Sequence, residues 1–338
     1  MNSAKIAAIA SFLPNGRLTN DDLAQVFEGW SAEKIFQKTG IRERAIAGSA
    51  ETAGDLGYEA GRRLLDGHGI SRDSVDFLIF CTQSPDYFLP TTACIIHQRL
   101  GLRPSAGAID VNQGCSGFVY SLALAKGLIV SGAASRVLIL TADTYSKYIH
   151  PRDKSVRTLF GDAGAAVLVD AASETDASGI GAFVFGTDGS GADNLIVPTG
   201  GSRRPRSAET GVEVEDTSGN VRTDDNLYMN GSEIMAFTLR AVPEAVRQLE
   251  TRSGIALGSS DFVVLHQANA FMLEALRKKM AIPRESFPVR LEYCGNTVSS
   301  TIPLVLEELY SSQAGSGRLA ALVGFGVGYS WAACYIRL

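Results

Sequence analysis

Histidine is scarce in this chain: four in 338 residues. Any chemistry that needs an imidazole at neutral pH therefore has few places to reside. Cysteine is also sparse. There are five, an odd number, with no C-x-x-C pair among them. That excludes a disulfide framework and a zinc ribbon, and points to a reduced, cytoplasmic protein with no metal site. No apolar run reaches the ~18 residues a membrane helix requires. The best candidate, SGFVYSLALAKGLIV, is interrupted by Lys126. The opening AKIAAIASFLPNG superficially resembles a signal peptide. Its apolar run is short and stops at a turn, so it reads as a first strand. No Lys/Arg-rich block stands out against a net charge of −5, so neither nucleic acid nor a membrane is expected as a partner. The one basic cluster, SRRPR at 202–206, lies in a Gly/Pro-rich loop.

What the chain does have is glycine, 35 residues, and 45% hydrophobic content with 20% charged residues. That balance is globular and α/β-like. Its length suits two packed units of about 150 residues or one large layered domain. An internal repeat favours duplication. GISRDSVDFLIF (69–80) returns as GIALGSSDFVVL (254–265), with Gly, Ile, Ser, Asp and Phe in register. Each copy follows a predicted amphipathic helix, over 52–67 and 231–252, and each ends in an apolar strand entering a polar loop. AIDVNQGCSGF and FPVRLEYCGNTVSS repeat as strand, tight turn and helix start. FGDAGAAVLV (160–169) echoes FGVGYSWAACYI (325–336). Two βαβ-type halves, 1–172 and 173–338, joined near 170–180, are expected. Continuous apolar runs such as VLILTAD (137–143) and RLAALVGFG (318–326) suggest sheets buried on both faces. Residues 186–226 read as a long loop excursion with short strands, of the kind that builds or covers a site.

Cys115 is the most informative residue. It follows a short strand, AGAIDV, and a turn, NQG, and it opens an amphipathic helix. A thiol there faces unpaired backbone N–H groups at the positive end of a helix dipole, which is expected to lower its pKa. Gly114 and Gly117 leave room for a substrate carbonyl. His266, in LHQANA, ends an apolar strand and enters a loop, where catalytic groups are commonly presented. Asn296, in YCGNTVSS, sits in the second copy where Cys115 sits in the first. Nucleophile, imidazole and amide together suit covalent catalysis. Cys81, Cys94 and Cys334 lie in apolar runs and read as structural. Cys294 is a rival nucleophile without a visible base. His68, His97 and His150 lie in a turn, on a helix and in a charged loop. The glycine loop GFGVG (324–328) has no helix or lysine after it, so it is not a phosphate loop. The backbone at Gly326, Val327 and Gly328, with the Cys115 N–H, is expected to form an oxyanion hole.

These segments resemble the thiolase superfamily, and most closely the β-ketoacyl-acyl-carrier-protein synthase III group. TGIRER (39–44), DVNQGCSGF (110–118), FGDAGAAVL (160–168), HQAN (266–269), GNTVSSTIP (295–303) and GFGVGYSW (324–331) carry the resemblance over nearly the whole chain. It implies a five-layer αβαβα fold of two duplicated halves and a homodimer. It also implies a catalytic triad of Cys115, His266 and Asn296. No tightly bound cofactor is implied. Coenzyme A and acyl-carrier-protein thioesters are the implied substrates, with acyl carrier protein as partner. Lys34, Lys38, Thr39, Lys154, Gln267, Asn269 and Phe271 occupy positions associated with substrate or carrier binding, and Phe88 and Leu89 the pocket end donated across a dimer. Three of these depart from the family: Lys34 stands where a Trp usually stacks on adenine, Lys154 replaces the Arg on the ring's other side, and Phe271 is the third. Lysine has charge but no planar surface to stack. Phe271 stands where a basic residue often meets the carrier.

The implied reaction is a decarboxylative Claisen condensation. Cys115 takes an acyl group, malonyl-carrier protein loses carbon dioxide, and the enolate attacks the acyl-enzyme. Plain acyl transfer to a hydroxyl or amine by a same-fold relative is the alternative. A cysteine hydrolase and a non-catalytic scaffold are further readings.

Overall fold

The computed structural model describes residues 3–173, 179–312 and 317–338. Of the expected junction at 170–180, residues 174–178 lie outside the described residues.

The apolar runs form two buried sheets. The first contains β1 (Ser3–Phe12), β2 (Phe77–Cys81), β3 (Gly107–Val111), β4 (Arg136–Asp143) and β5 (Ala163–Ala172), in the order β1-β5-β4-β2-β3. The second contains β6 (Ile180–Thr187), β7 (Phe262–Leu265), β8 (Leu319–Gly326) and β9 (Ser330–Arg337), in the order β6-β9-β8-β7. The orders superimpose, as do the directions. β2 and β4 run parallel, like β7 and β8. β5 is antiparallel to both its neighbours, and so is β9. The repeat read from sequence is thus a repeat of topology. Even the short 3-10 turns before the repeated strands, Arg72–Ser74 and Leu257–Ser259, correspond.

One expectation fails. The second copy has no strand matching β3; residues 287–291 are irregular. Pro288 has no N–H for a ladder. The Arg290 N–H donates to the Gln267 side-chain oxygen (2.8 Å), and the Glu292 carbonyl accepts from the N–H groups of Arg42 and Glu43. Backbone groups already satisfied in this way have no need of a neighbouring strand.

Helices complete five layers. α1 (Ala53–Gly67) and α2 (Thr92–Leu100) cover the outer face of the first sheet. α3 (Gly117–Val130) and α6 (Thr301–Ser311) lie between the sheets. α4 (Gly231–Ser253) and α5 (Ala270–Lys279) cover the second sheet from outside. A Thr52–Asp55 capping box starts α1, Asn230 caps α4, and Gly254 ends α4 in the left-handed conformation (φ 70°). α3 is apolar nearly all round because both its flanks meet a sheet; Phe118, Val119, Leu122 and Ala125 are fully buried. Burial of Phe118, Val119 and Leu122 contributes roughly 1.5–3 kcal/mol each. Lys126 leaves this layer by donating to the carbonyls of Ile180 and Gly181.

Candidate active site

The strand-turn-helix expected around Cys115 is present. β3 ends at Val111, the turn follows, and α3 begins at Gly117. The last residues of β8 press against this turn. A Cβ on Gly324 would lie 2.7 Å from the Ser116 Cα, and one on Gly326 would lie 2.9 Å from the Cys115 sulfur. Only glycine permits that approach. Ser116 and Ser330 hydroxyls bond across the same seam at 2.6 Å.

The thiol itself departs from the expected state. Cys115 is 5% exposed. Burial pushes its pKa up to about 12, and the Asp143 carboxylate adds to the rise. Hydrogen bonds from the Val327 and Cys115 N–H groups pull the other way without prevailing. A helix terminus acts through a few tenths to about one kcal/mol. Full desolvation of a thiolate acts through several pKa units. The resting residue is therefore a thiol that needs a base. The two N–H groups that face its sulfur are two of those expected to cradle an oxyanion.

His266 follows β7, its N–H bonded to the Val323 carbonyl of β8 (2.9 Å). The ring meets Phe325 edge-on. Burial lowers its pKa to about 3, and the Val298 backbone opposes this only in part. The imidazole is thus uncharged at neutral pH. Its Nδ1 lies 2.8 Å from the Thr301 hydroxyl, which in turn donates to the Val298 carbonyl at 3.0 Å.

Asn296 is also buried. Its side-chain oxygen accepts from the Val298 N–H (3.0 Å), its own N–H donates to the Leu159 carbonyl (2.9 Å), and its carbonyl accepts from Gly161 (3.0 Å). With the oxygen engaged, the NH₂ is the end of the amide left to face the cavity.

Sequence reasoning missed what holds this loop. Asp143, at the end of β4, is fully buried. It accepts from the Ser299 hydroxyl (2.5 Å) and the Gln83 N–H (2.8 Å). Burial raises its pKa to about 7 against the effect of those bonds. Ser300 bonds the Thr141 hydroxyl (2.9 Å) and carbonyl (3.1 Å). The second copy's loop is thus stitched to a strand of the first. The hydroxyl run SST was visible in the sequence, but its partners are distant in the chain.

Cys115, His266, Asn296, Phe325 and Gly326 line one narrow cavity of about 80 Å³. Leu159, Met229, Ala268 and Met272 form its apolar walls, and Asn269 also lines it. Asn269 also caps α5 through the Met272 N–H (2.9 Å). The rival Cys294 is outside this lining, and burial raises its pKa to about 11. Cys94, read as structural, is exposed.

The substrate-associated positions divide. Gln267 is fully buried, with its amide nitrogen on the Leu265 carbonyl (2.6 Å) and its oxygen on Arg290; it braces the loop rather than facing a ligand. Thr39 is buried and bonds the Ile35 carbonyl (2.8 Å), so it closes the Ala32–Thr39 helix. Lys154 is held by the Ser218 and Gly219 carbonyls. Lys34 donates to the Gly29 carbonyl (2.9 Å), and both it and Lys38 lie over the Trp30 ring. Their helix packs on α5, where Phe271 is 69% exposed. Phe88 and Leu89 are 90% and 82% exposed and do not line the cavity of their own chain. Phe88 borders a separate open cavity of about 850 Å³ with Gln83, Tyr148 and Arg206. Among the described residues no cluster could hold a metal ion, and no helix is long and apolar enough to cross a membrane.

Comparison with known proteins extends this picture to the whole chain. Residues 109–189 match the family described as 3-oxoacyl-[acyl-carrier-protein] synthase III, and residues 251–338 match its C-terminal part. The β-ketoacyl-[acyl-carrier-protein] synthase III of Chlamydia caviae is 35% identical over 100% of this chain and 97% of its own. A crystal structure of a 3-oxoacyl-(acyl-carrier-protein) synthase III is 58% identical and superimposes with a TM-score of 0.97, covering 99% of this chain and 100% of that one. A 3-oxoacyl-(acyl-carrier protein) synthase from Burkholderia xenovorans is 39% identical with a TM-score of 0.91, covering 99% and 94%. With its full length matched in sequence and fold, this chain belongs to the 3-oxoacyl-[acyl-carrier-protein] synthase III family of thiolase-like condensing enzymes.

Proposed function

We propose that the chain condenses an acyl thioester with malonyl-acyl-carrier protein through an acyl group on Cys115. The half 1–172 supplies the nucleophile and the half 173–338 supplies His266 and Asn296. The observation that carries this reading is the shared cavity: thiol, uncharged imidazole and outward amide NH₂ line one narrow space.

The chemistry runs in two stages. His266 Nε2 accepts the Cys115 proton as sulfur bonds to the thioester carbon. The oxyanion rests on the N–H groups of Cys115 and Val327, within the loop Gly326–Gly328. The carbon–sulfur bond to the carrier then breaks, and the leaving thiolate takes the proton from Nε2. Next, the malonyl thioester oxygen accepts hydrogen bonds from the Asn296 NH₂ and from Nε2. Carbon dioxide departs, the bonding pair becomes an enolate, and its carbon attacks the acyl carbonyl. The Cys115–acyl bond breaks and the sulfur regains a proton from solvent. Asn suits the donor role because it stays neutral at any working pH.

Acyl-carrier-protein and coenzyme A thioesters are the substrates, and no resident cofactor takes part. Lys38 and Phe271 flank the face where a carrier would dock; Lys34 and Lys154 are held by backbone carbonyls, so adenine stacking of the usual kind is not their task. A homodimer in a reduced cytoplasm fits the five free thiols, the half-exposed edge strand β3 and the exposed Phe88 and Leu89.

The test supplies malonyl-carrier protein and a panel of acyl thioesters, reading carbon dioxide release and intact-protein mass. Wild type is expected to acylate on Cys115 and form a 3-ketoacyl thioester. Cys115→Ala is expected to lose the acyl-enzyme yet retain some malonyl decarboxylation. An acyl group on Cys294 would overturn the assignment.

A further inference from the structure

Val298 holds an uncommon backbone. Its φ is 54°, in the left-handed region, although its side chain is β-branched and fully buried. An L-residue enters that region at a cost, and β-branched residues are the rarest there. Such a conformation persists only where the surroundings over-determine it. Here they pin the chain on both sides. Upstream, the Asn296 N–H donates to the Leu159 carbonyl (2.9 Å) and its carbonyl accepts from the Gly161 N–H (3.0 Å). Downstream, Asp143 Oδ2 accepts from the Ser299 N–H (3.3 Å) and hydroxyl (2.5 Å). Both Ser299 donors fall on that one oxygen, so Oδ1 can carry a proton or not without loosening them. All of these partners belong to the first half, which thereby holds the second half's loop.

The conformation has a use at the site. A backbone N–H can only donate, so the Val298 N–H must meet the oxygen of the Asn296 side chain (3.0 Å). That turns the NH₂ towards the cavity that Asn296 lines. A return of Val298 to negative φ between the same pins would turn the Thr297–Val298 peptide and take this N–H away. Among the described residues no other hydrogen bond fixes which end of the amide faces the cavity.

We infer that Asp143 is a positioning residue for the decarboxylation stage: through Ser299 it holds Val298 in the left-handed conformation, and the Val298 N–H thereby aims the Asn296 amide.

The inference rests on the condensing reaction proposed above, and the two fail separately. If wild type shows no condensation, the reaction itself is wrong. If wild type condenses, a double-mutant cycle decides. Acylation of Cys115 is read by single-turnover mass spectrometry, and decarboxylation by carbon dioxide release from pre-acylated enzyme. Asp143→Ala is expected to slow decarboxylation about tenfold, the population a left-handed L-residue forfeits when nothing holds it. Acylation should stay within about threefold, the room left by experimental scatter and small packing changes. Cys115 stands on the other turn and loses only a neighbouring charge that opposes its ionisation. Glycine adopts positive φ without the cost that valine meets. In a Val298→Gly background the same Asp143→Ala step should therefore change decarboxylation less than about threefold. Ser299→Ala removes one of the two bonds and leaves Asp143 in place. It should slow decarboxylation about fivefold, the worth of one hydrogen bond, again spare acylation, and lose its effect in the Val298→Gly background. This second cycle decides if Asp143→Ala does not fold. Equal losses in the two stages, a loss confined to acylation, no loss, or an undiminished loss in the Val298→Gly background would each overturn the inference.

Discussion

The two copies of the fold arrive at the site by different means. In the first, a regular strand, β3, leads through a glycine-flanked turn to Cys115 and straight into α3. In the second, an irregular segment leads to Asn296, then a 3-10 turn at Val298–Ser300, then α6. The first turn is shaped by what is missing: Gly324 and Gly326 on the facing strand leave space beside the sulfur. The second is shaped by what is bonded: Asn296, Ser299, Ser300 and Thr301 all have partners. A nucleophile needs an open flank for a carbonyl to approach. A dipole that stabilises charge needs a fixed direction before the charge appears. The two turns, equivalent in the repeat, are thus held by different means, one left open on its flank and the other braced by hydrogen bonds, as the proposed division of labour requires.

The sharpest way to break that division is to remove the braced dipole alone. Asn296→Ala is expected to reduce condensation by about 10²–10³-fold. Asn296→Asp should lose at least as much, since it replaces a donor with a negative charge beside the developing enolate. Acyl-Cys115 should still form at near the wild-type rate in both, as read by single-turnover mass spectrometry. A matching fall in acylation would mean that the two turns are not separable.

A smaller effect concerns the thiols. Cys94 is exposed on α2, whereas Cys115 is buried with a pKa pushed up to about 12. Alkylation follows the thiolate. Iodoacetamide at neutral pH should therefore modify Cys94 at least about tenfold faster than Cys115, by peptide mapping. An acyl thioester should reverse the preference, because the cavity then provides the base and the oxyanion donors. Faster alkylation of Cys115 would indicate a resting thiolate and remove the need for His266 as base.

Much of the first copy was legible in the sequence, and less of the second. Strands such as VLILTAD and RLAALVGFG announce themselves because both sheet faces are buried, so apolar residues run on without alternation. Glycine and cysteine in DVNQGCSGF mark a tight turn by residue type alone. The irregular stretch 287–292 reads as a strand in sequence, because its hydrogen-bond partners, Gln267, Arg42 and Glu43, are ones that no local pattern reveals. Gln267 reads as a substrate contact for the same reason, since its neighbours in HQAN line the cavity while it braces the loop behind them. The raised pKa of Cys115 was equally hidden: the helix end that lowers it is local in sequence, and the burial and Asp143 that raise it are not.

The smallest effect compares the titratable group that each copy buries beside the other. Asp143, from the first, has its pKa raised from 3.8 to about 7. His266, from the second, has its pKa lowered from 6.5 to about 3. Both favour the neutral form, yet they oppose each other in pH. For Asp143 the folded chain binds the extra proton, so its contribution is greatest below pH ~4 and is lost as pH rises towards 7. For His266 the unfolded chain binds the extra proton, so its contribution is greatest above pH ~6.5 and is lost as pH falls towards 3. Between about pH 4.5 and 6.5 these two contributions therefore offset each other in the wild type, an order-of-magnitude window set by their linkages. Removing one partner exposes the slope of the other. His266→Gln should gain on wild type as pH falls through this window, and Asp143→Asn should gain on wild type as pH rises. Each kcal/mol of imbalance moves the midpoint by on the order of 2–4 °C. Differential scanning fluorimetry across the window reads both slopes. If both differences stay constant with pH, neither group is held neutral by the seam between the copies, and the stitching of Asp143 to Ser299 is then that of an ordinary charged carboxylate.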